Sequence, residues 1–138
     1  MSGPLLLRIV AVMALLQFVG HGMLFVRARP THGPEEVSLV EAMQSRAFKF
    51  AVAPRTYWDM YFGYGLEAAF VCLFEAVLFW LLANGTCGDA GLVRSIAVLF
   101  AVGNVAHGVL LMRYFAFPVP IVFDAVIALG LTMVALAP

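Results

Sequence analysis

The sequence predicts an all-α membrane protein, a four-transmembrane-helix bundle with a short amphipathic helix in its first loop. Three observations predict it. Hydrophobic residues make up 64% of the 138 positions and charged residues 12%, where a soluble domain holds ~45–50% and ~25%. Mean hydropathy is +1.00, more apolar surface than a soluble fold of this length can bury. The apolar residues gather into four segments, each near the ~20 residues that a helix needs to cross ~30 Å of hydrocarbon. Segments of ~10 alternating residues, the mark of a membrane barrel, are absent.

The first segment runs from about Leu5 to Val26. As a secretory signal it fits poorly: Arg8 comes late for a basic leader, the apolar stretch is long, and Val26-Arg27-Ala28-Arg29 is no small-residue cleavage site. A membrane span is the better reading. Pro30 and Pro34 then break the chain. Glu35 and Glu36 precede Val37, Leu39, Val40, Met43, Ala47, Phe48 and Phe50, interleaved with Glu41, Arg46 and Lys49. Apolar residues at helical spacing among charges predict a short amphipathic helix at the interface, or a loop helix packed on the bundle mouth.

The second segment runs from about Tyr57 to Ala83 and ends in the turn-rich Asn84-Gly85-Thr86-Cys87-Gly88-Asp89. The third runs from about Leu92 to Phe115. Phe117-Pro118-Val119-Pro120 makes a tight return, and a proline suits the first turn of a helix. The fourth segment runs from about Val119 to Ala137. The four spans form one integral membrane domain over residues 1–138.

Lysine and arginine set orientation. Arg27, Arg29, Arg46, Lys49, Arg55 and Arg113 fall on one side and only Arg8 and Arg94 on the other. This puts the long first loop in the cytoplasm and both termini outside. The formal net charge is zero, which leaves no electrostatic footprint for nucleic acid. Two cysteines are too few for a disulfide framework. Cys72 lies within a span and Cys87 in a loop, and both read as structural.

Each span carries polar side chains, and charge in hydrocarbon is costly and seldom kept without a use or a partner. Gln17 and His21 lie four apart on the first helix, hence on one face. Asn104 and His107 lie three apart on the third. Glu67 falls near the middle of the second and Asp124 about five residues into the fourth. At ~1.5 Å per residue these six groups reach one layer, between the midplane and the long-loop side. The layer predicts a polar pocket between helices. Asp59 and Arg55 stand at its mouth, with Trp58, Tyr61 and Tyr64 lining or flanking the second helix.

Three chemistries compete for such a layer. Polar groups hydrogen-bond across membrane helices at ~0.6–2 kcal/mol per contact, so the layer can be purely structural, as in an accessory subunit of a larger membrane complex. It can instead perform acid–base chemistry on a lipophilic small molecule. Hydrocarbon disfavours the charged form of carboxyl and imidazole alike, which brings their protonation into a range where proton transfer is efficient. Glu67 is then the expected acid, with His107, His21 and Asp124 as base or orienter. Arg55, Asp59, Trp58, Tyr61, Tyr64, Gln17 and Asn104 are the expected substrate-binding residues. An isomerisation or cyclisation of an isoprenoid- or polyketide-like substrate fits that set. The third chemistry is redox: His21 and His107, at similar depth on different helices, could hold haem or a quinone. No ligand-spacing motif supports a metal site, and no phosphate loop, CxxC or HExxH occurs. Gly63-Tyr64-Gly65 lies inside a span and lacks the third glycine of a nucleotide fingerprint. No cofactor is expected from the residues alone. A homo-oligomer is compatible with them.

The four-span layout and the Gly20-His21-Gly22 turn resemble the small bacterial membrane proteins grouped as DoxX-like. The stretch Arg55-Thr56-Tyr57-Trp58-Asp59-Met60-Tyr61-Phe62-Gly63-Tyr64-Gly65-Leu66 resembles a motif of uncharacterised four-helix bacterial proteins near that group. The resemblance implies the topology, a quinone-linked redox role, and a charged, aromatic mouth made by Arg55, Asp59 and Tyr61. In kind, though in no alignable motif, the polar layer is also similar to that of membrane sterol isomerases of the emopamil-binding superfamily.

Overall fold

In chain order the computed structural model contains α1 (Gly3–Val26), α2 (Pro34–Ser45), β1 (Ala47–Phe50), β2 (Ala53–Thr56), α3 (Tyr57–Ala83), α4 (Ala90–Tyr114) and α5 (Pro118–Leu136). It describes residues 2–26, 30, 32–50, 52–85, 88–115 and 117–137. Arg27 and Arg29 of the orientation count, and Cys87, lie outside them. α1, α3, α4 and α5 are each long and apolar enough to cross a membrane. The protein is thus an integral membrane bundle of four apolar helices, and lipid is the solvent for its outward side chains, such as Leu16, Phe74, Leu99 and Leu129.

The helix ends follow local chemistry. Asp89 caps α4: its Oδ1 accepts from the backbone N–H of Gly91 at 2.8 Å and of Leu92 at 3.2 Å. Pro118 and Pro120 open α5, where the missing N–H is no loss. Pro34 does the same for α2, after Gly33 at φ 98°. α3 begins in a reciprocal capping box. The backbone N–H of Thr56 donates to Asp59 Oδ2 at 2.8 Å, and that of Asp59 donates to Thr56 Oγ1 at 3.1 Å.

The first connection differs from expectation. Its helix stops at Ser45, and the chain then pairs β1 with β2 in an antiparallel hairpin, Ala47 opposite Thr56 and Phe48 opposite Arg55. Lys49 between two phenylalanines has the period of two that a strand requires. Pro54 is tolerated because a two-stranded ribbon consists of edges. The fold is therefore not purely helical, and no residue of α2 is fully buried.

The chain forms two compact units, one of Met1–Phe18 with Val71–Pro138 and a smaller one of Val19–Phe70. The larger unit has a core of Leu7, Val10, Ala14, Phe79, Ile127 and Leu131 among others. Small residues, including Ala11, Ala76, Ala97 and Ala101, let the backbones close up. Phe79 meets the Phe100 ring edge to face at 5.3 Å. At one end Arg8 donates to Asn84 Oδ1 at 3.2 Å, and Arg94 to the Ala137 carbonyl at 2.6 Å. These bonds tie the start of α1 to the end of α3 and the start of α4 to the end of α5.

The smaller unit is organised by aromatics. Phe25 packs on Tyr61 with ring centroids 5.4 Å apart and on Phe62 at 6.4 Å. Its ring fills the space that a β-carbon on Gly65 would occupy. Trp58 adjoins Tyr61 at 5.7 Å, and Phe48 of the hairpin adjoins Tyr57 at 4.9 Å.

Candidate functional site

Asp124 falls on the same stripe of α5 as Ile127, Leu131 and Val134, the side that faces the core. Its placement there buries a carboxylate to 2% exposure, which requires partners for both oxygens. Oδ1 accepts from Gln17 Nε2 of α1 at 2.9 Å. Oδ2 stands 2.8 Å from His107 Nδ1 of α4, an ion-pair contact that lacks hydrogen-bond geometry. His107 lies about 10 Å along its helix from Tyr114, and Asp124 about 9 Å along its helix from Pro118. Both therefore sit within the hydrocarbon depth and at a matched level.

α3 adds Glu75, half-buried, beside the Asn104 side chain and near Asp124 and His107. Buried Asn104 also donates from Nδ2 to the Phe100 carbonyl one turn earlier, at 2.9 Å. Cys72, one turn before Glu75, feels both carboxylates. All four membrane helices thus deliver a polar group to one cluster inside the larger unit.

The cluster has a buried side and an open one. Asp124 and Gln17 are interior, whereas the His107 side chain is 51% exposed. Because Nδ1 turns inward to Asp124, Nε2 occupies the outward edge of the ring. A carboxylate this close to Nδ1 orients an imidazole. Such a ring can accept or donate a proton at Nε2. The same larger unit also carries an open, wholly apolar groove of about 220 Å³, lined by Val12, Leu15, Leu73, Val77 and Trp80 among others.

Of the residues expected in the layer, Gln17, Asn104, His107 and Asp124 come together. His21 and Glu67 belong to the smaller unit. His21 there packs on Phe25 with ring centroids 5.0 Å apart. Glu67, expected as the buried acid, is exposed. The reason is helical phase. Gly65 and Ala69 are the buried positions of this turn, and Glu67 lies about 200° from each at ~3.6 residues per turn. The α3 carboxyl of the cluster is Glu75 instead, beside buried Ala76.

The expected mouth residues also separate. Arg55, Trp58 and Asp59 line an open groove of about 280 Å³ with Phe62 and Gly63. Asp59 is committed to capping α3. Tyr61 is occupied by Phe25 and Trp58, and Tyr64 is exposed. Glu75 stands on the second helix beyond Glu67 and Cys72 reads as structural by sequence, so neither is expected in the layer, although Cys72, Ala76, Phe79 and Ala83 mark the inward stripe of α3 by spacing alone. Among the described residues, no group of three or more His, Cys, Asp and Glu side chains is placed to hold a metal ion. Compared with family models, curated proteins and solved structures, the chain matches none of them.

Proposed function

We propose that this protein binds a lipophilic small molecule within the membrane and transforms it by general acid–base chemistry, an isomerisation or cyclisation of an isoprenoid- or polyketide-like substrate. One observation carries the proposal. His107 Nδ1 is held 2.8 Å from the buried carboxylate of Asp124 while the ring's other edge remains open. A purely structural histidine would have its second nitrogen satisfied inside the bundle.

In the proposed reaction Nε2 of neutral His107 takes a proton from an acidic C–H of the substrate. Asp124, fixed by Gln17, stabilises the imidazolium that forms. The Glu75 carboxyl returns a proton at a second carbon, which moves a double bond or closes a ring. Proton transfer from His107 to Glu75, by way of water, restores both groups. The apolar groove along Leu15 and Val77 fits a hydrocarbon tail. The same outward Nε2–H of a protonated His107 would hydrogen-bond a quinone carbonyl, and that is the form in which the DoxX-like, redox reading survives.

The surrounding proposals are coarser. Arg46, Lys49, Arg55 and Arg113 support a cytoplasmic first connection, and the α2 pattern supports its lying along the membrane interface. A bacterial inner membrane is the setting that the DoxX-like resemblance implies.

The test is ligand identification by native mass spectrometry of protein released from mild detergent, for the wild type and His107→Ala. A terpenoid or polyketide mass, lost in the variant, is expected. Deuterium should enter the ligand from D₂O only with wild-type His107 and Glu75. A quinone would replace the acid–base reading with the redox one. A bare chain, or one carrying a stoichiometric protein partner, would replace it with the accessory-subunit reading.

A further inference from the structure

We infer that the β1–β2 hairpin and the first turn of α3 form a binding surface for the headgroups of anionic phospholipids. The argument begins with covalent geometry. β2 ends at Thr56 and α3 begins at Tyr57, with no residue between them. α3 is a membrane span, so its first turn lies at the membrane–water boundary and the hairpin is held at headgroup level.

Charge then selects the lipid. Arg46 immediately precedes β1, Lys49 lies within it and Arg55 lies in β2; all three are exposed. Between Glu41 and Asp59 the sequence has no acidic residue. Glu35 and Glu36 sit in the first turn of α2, roughly 15 Å along its axis from Arg46. Glu36 is engaged by the His32 ring at 3.1 Å. Glu41, about 7 Å along α2 from Arg46, and Asp59 are the nearer carboxylates, and Asp59 turns Oδ2 to the Thr56 N–H. Among the described residues Arg55 donates from Nη1 to the carbonyl of its neighbour Pro54, at 2.8 Å, and the guanidinium has further N–H groups that a phosphate can take.

Shape completes the case. The open groove of about 280 Å³ is lined by Arg55, Trp58, Asp59, Phe62 and Gly63, and Asp59 Oδ2 there is already taken by the Thr56 N–H. A phosphodiester can accept from Arg55 and from the Trp58 indole N–H. The first methylenes of an acyl chain can lie along Phe62. Aromatic residues beside basic ones are the composition that interfacial binding favours.

The experiment compares phosphatidylglycerol with phosphatidylcholine of identical chains, each added to the purified full chain, by counting retained lipids in native mass spectrometry. The wild type should retain phosphatidylglycerol several-fold better. Each basic residue near an anionic surface contributes roughly a fivefold preference, so R46Q/K49Q/R55Q should bring the ratio close to one. Arg94→Gln, at the far end of α4, should leave it unchanged, and circular dichroism should show equal helix content in all three proteins. Equal retention of both lipids by the wild type, or an undiminished preference in the triple variant, would overturn the inference. So would loss of the bound lipid to millimolar inorganic phosphate at constant ionic strength, which would assign the surface to free phosphate.

Discussion

Gln17 and Asp124, 107 residues apart in sequence, meet at 2.9 Å inside the larger unit and join the first membrane helix to the last. The amide holds one oxygen of a carboxylate whose other oxygen holds His107. The bond is therefore a fold contact and a positioning contact at once. Gln17→Leu should lower stability by about 1 kcal/mol, read from thermal unfolding in a fixed detergent. Asp124→Leu should cost more, since it strands both partners. A double-mutant cycle on the pair should return a coupling of about 1 kcal/mol; simple additivity would show that the amide does not engage the carboxylate.

Glu67 and Glu75 should behave in opposite ways. Glu67 is exposed along α3, so Glu67→Leu should change stability by no more than about 0.5 kcal/mol. Glu75→Leu removes the carboxyl beside Asn104, whose Nδ2 also donates to the Phe100 carbonyl, and should cost about 1 kcal/mol, along with any deuterium transfer to ligand. Unfolding of the two variants side by side checks this, and a more harmful Glu67 substitution would contradict the placement of the cluster.

Gly65 is set by the Phe25 ring that occupies its β-carbon position. Gly65→Ala forces that ring aside and should destabilise the protein by roughly 1–3 kcal/mol, as overpacking does. Phe25→Ala makes room for the methyl group. In that background the same glycine substitution should cost much less, and the difference between the two melting shifts is the measurement.

The capping box at the start of α3 predicts a local signature. Thr56→Ala and Asp59→Ala each remove one of its two reciprocal bonds. Amide hydrogen exchange of residues 57–60 should accelerate in both variants, with exchange at Asp124 and Ile127 unaltered. Asp59→Asn, which keeps an acceptor oxygen, should preserve most of the protection.

The membrane helices were legible because apolar length is a one-dimensional property. The second span was expected over Tyr57–Ala83, the bounds that α3 has. Depth was legible too, since rise per residue is constant, and Gln17, Asn104, His107 and Asp124 do converge. Azimuth was not. Glu67 was assigned by depth alone, although small Gly65 and Ala69 on either side of it identify the opposite face as the packed one. The hairpin was missed because Val37, Leu39, Val40 and Met43 carry a helical rhythm that runs into Phe48. The change to a period of two at Ala47-Phe48-Lys49-Phe50 lasts only four residues, too short to outweigh the helix before it.

The membrane helices differ in length. α5 has 19 residues and α3 has 27, or about 28 Å and about 40 Å of axis. A bilayer matched to α5 leaves roughly two turns of α3 in excess. The first two turns of α3 hold Tyr57, Trp58, Tyr61 and Tyr64. Those rings then act as a float line. Lipids with longer chains draw this aromatic turn into hydrocarbon and shorter ones release it to water, so lipid thickness sets the height at which the hairpin is carried.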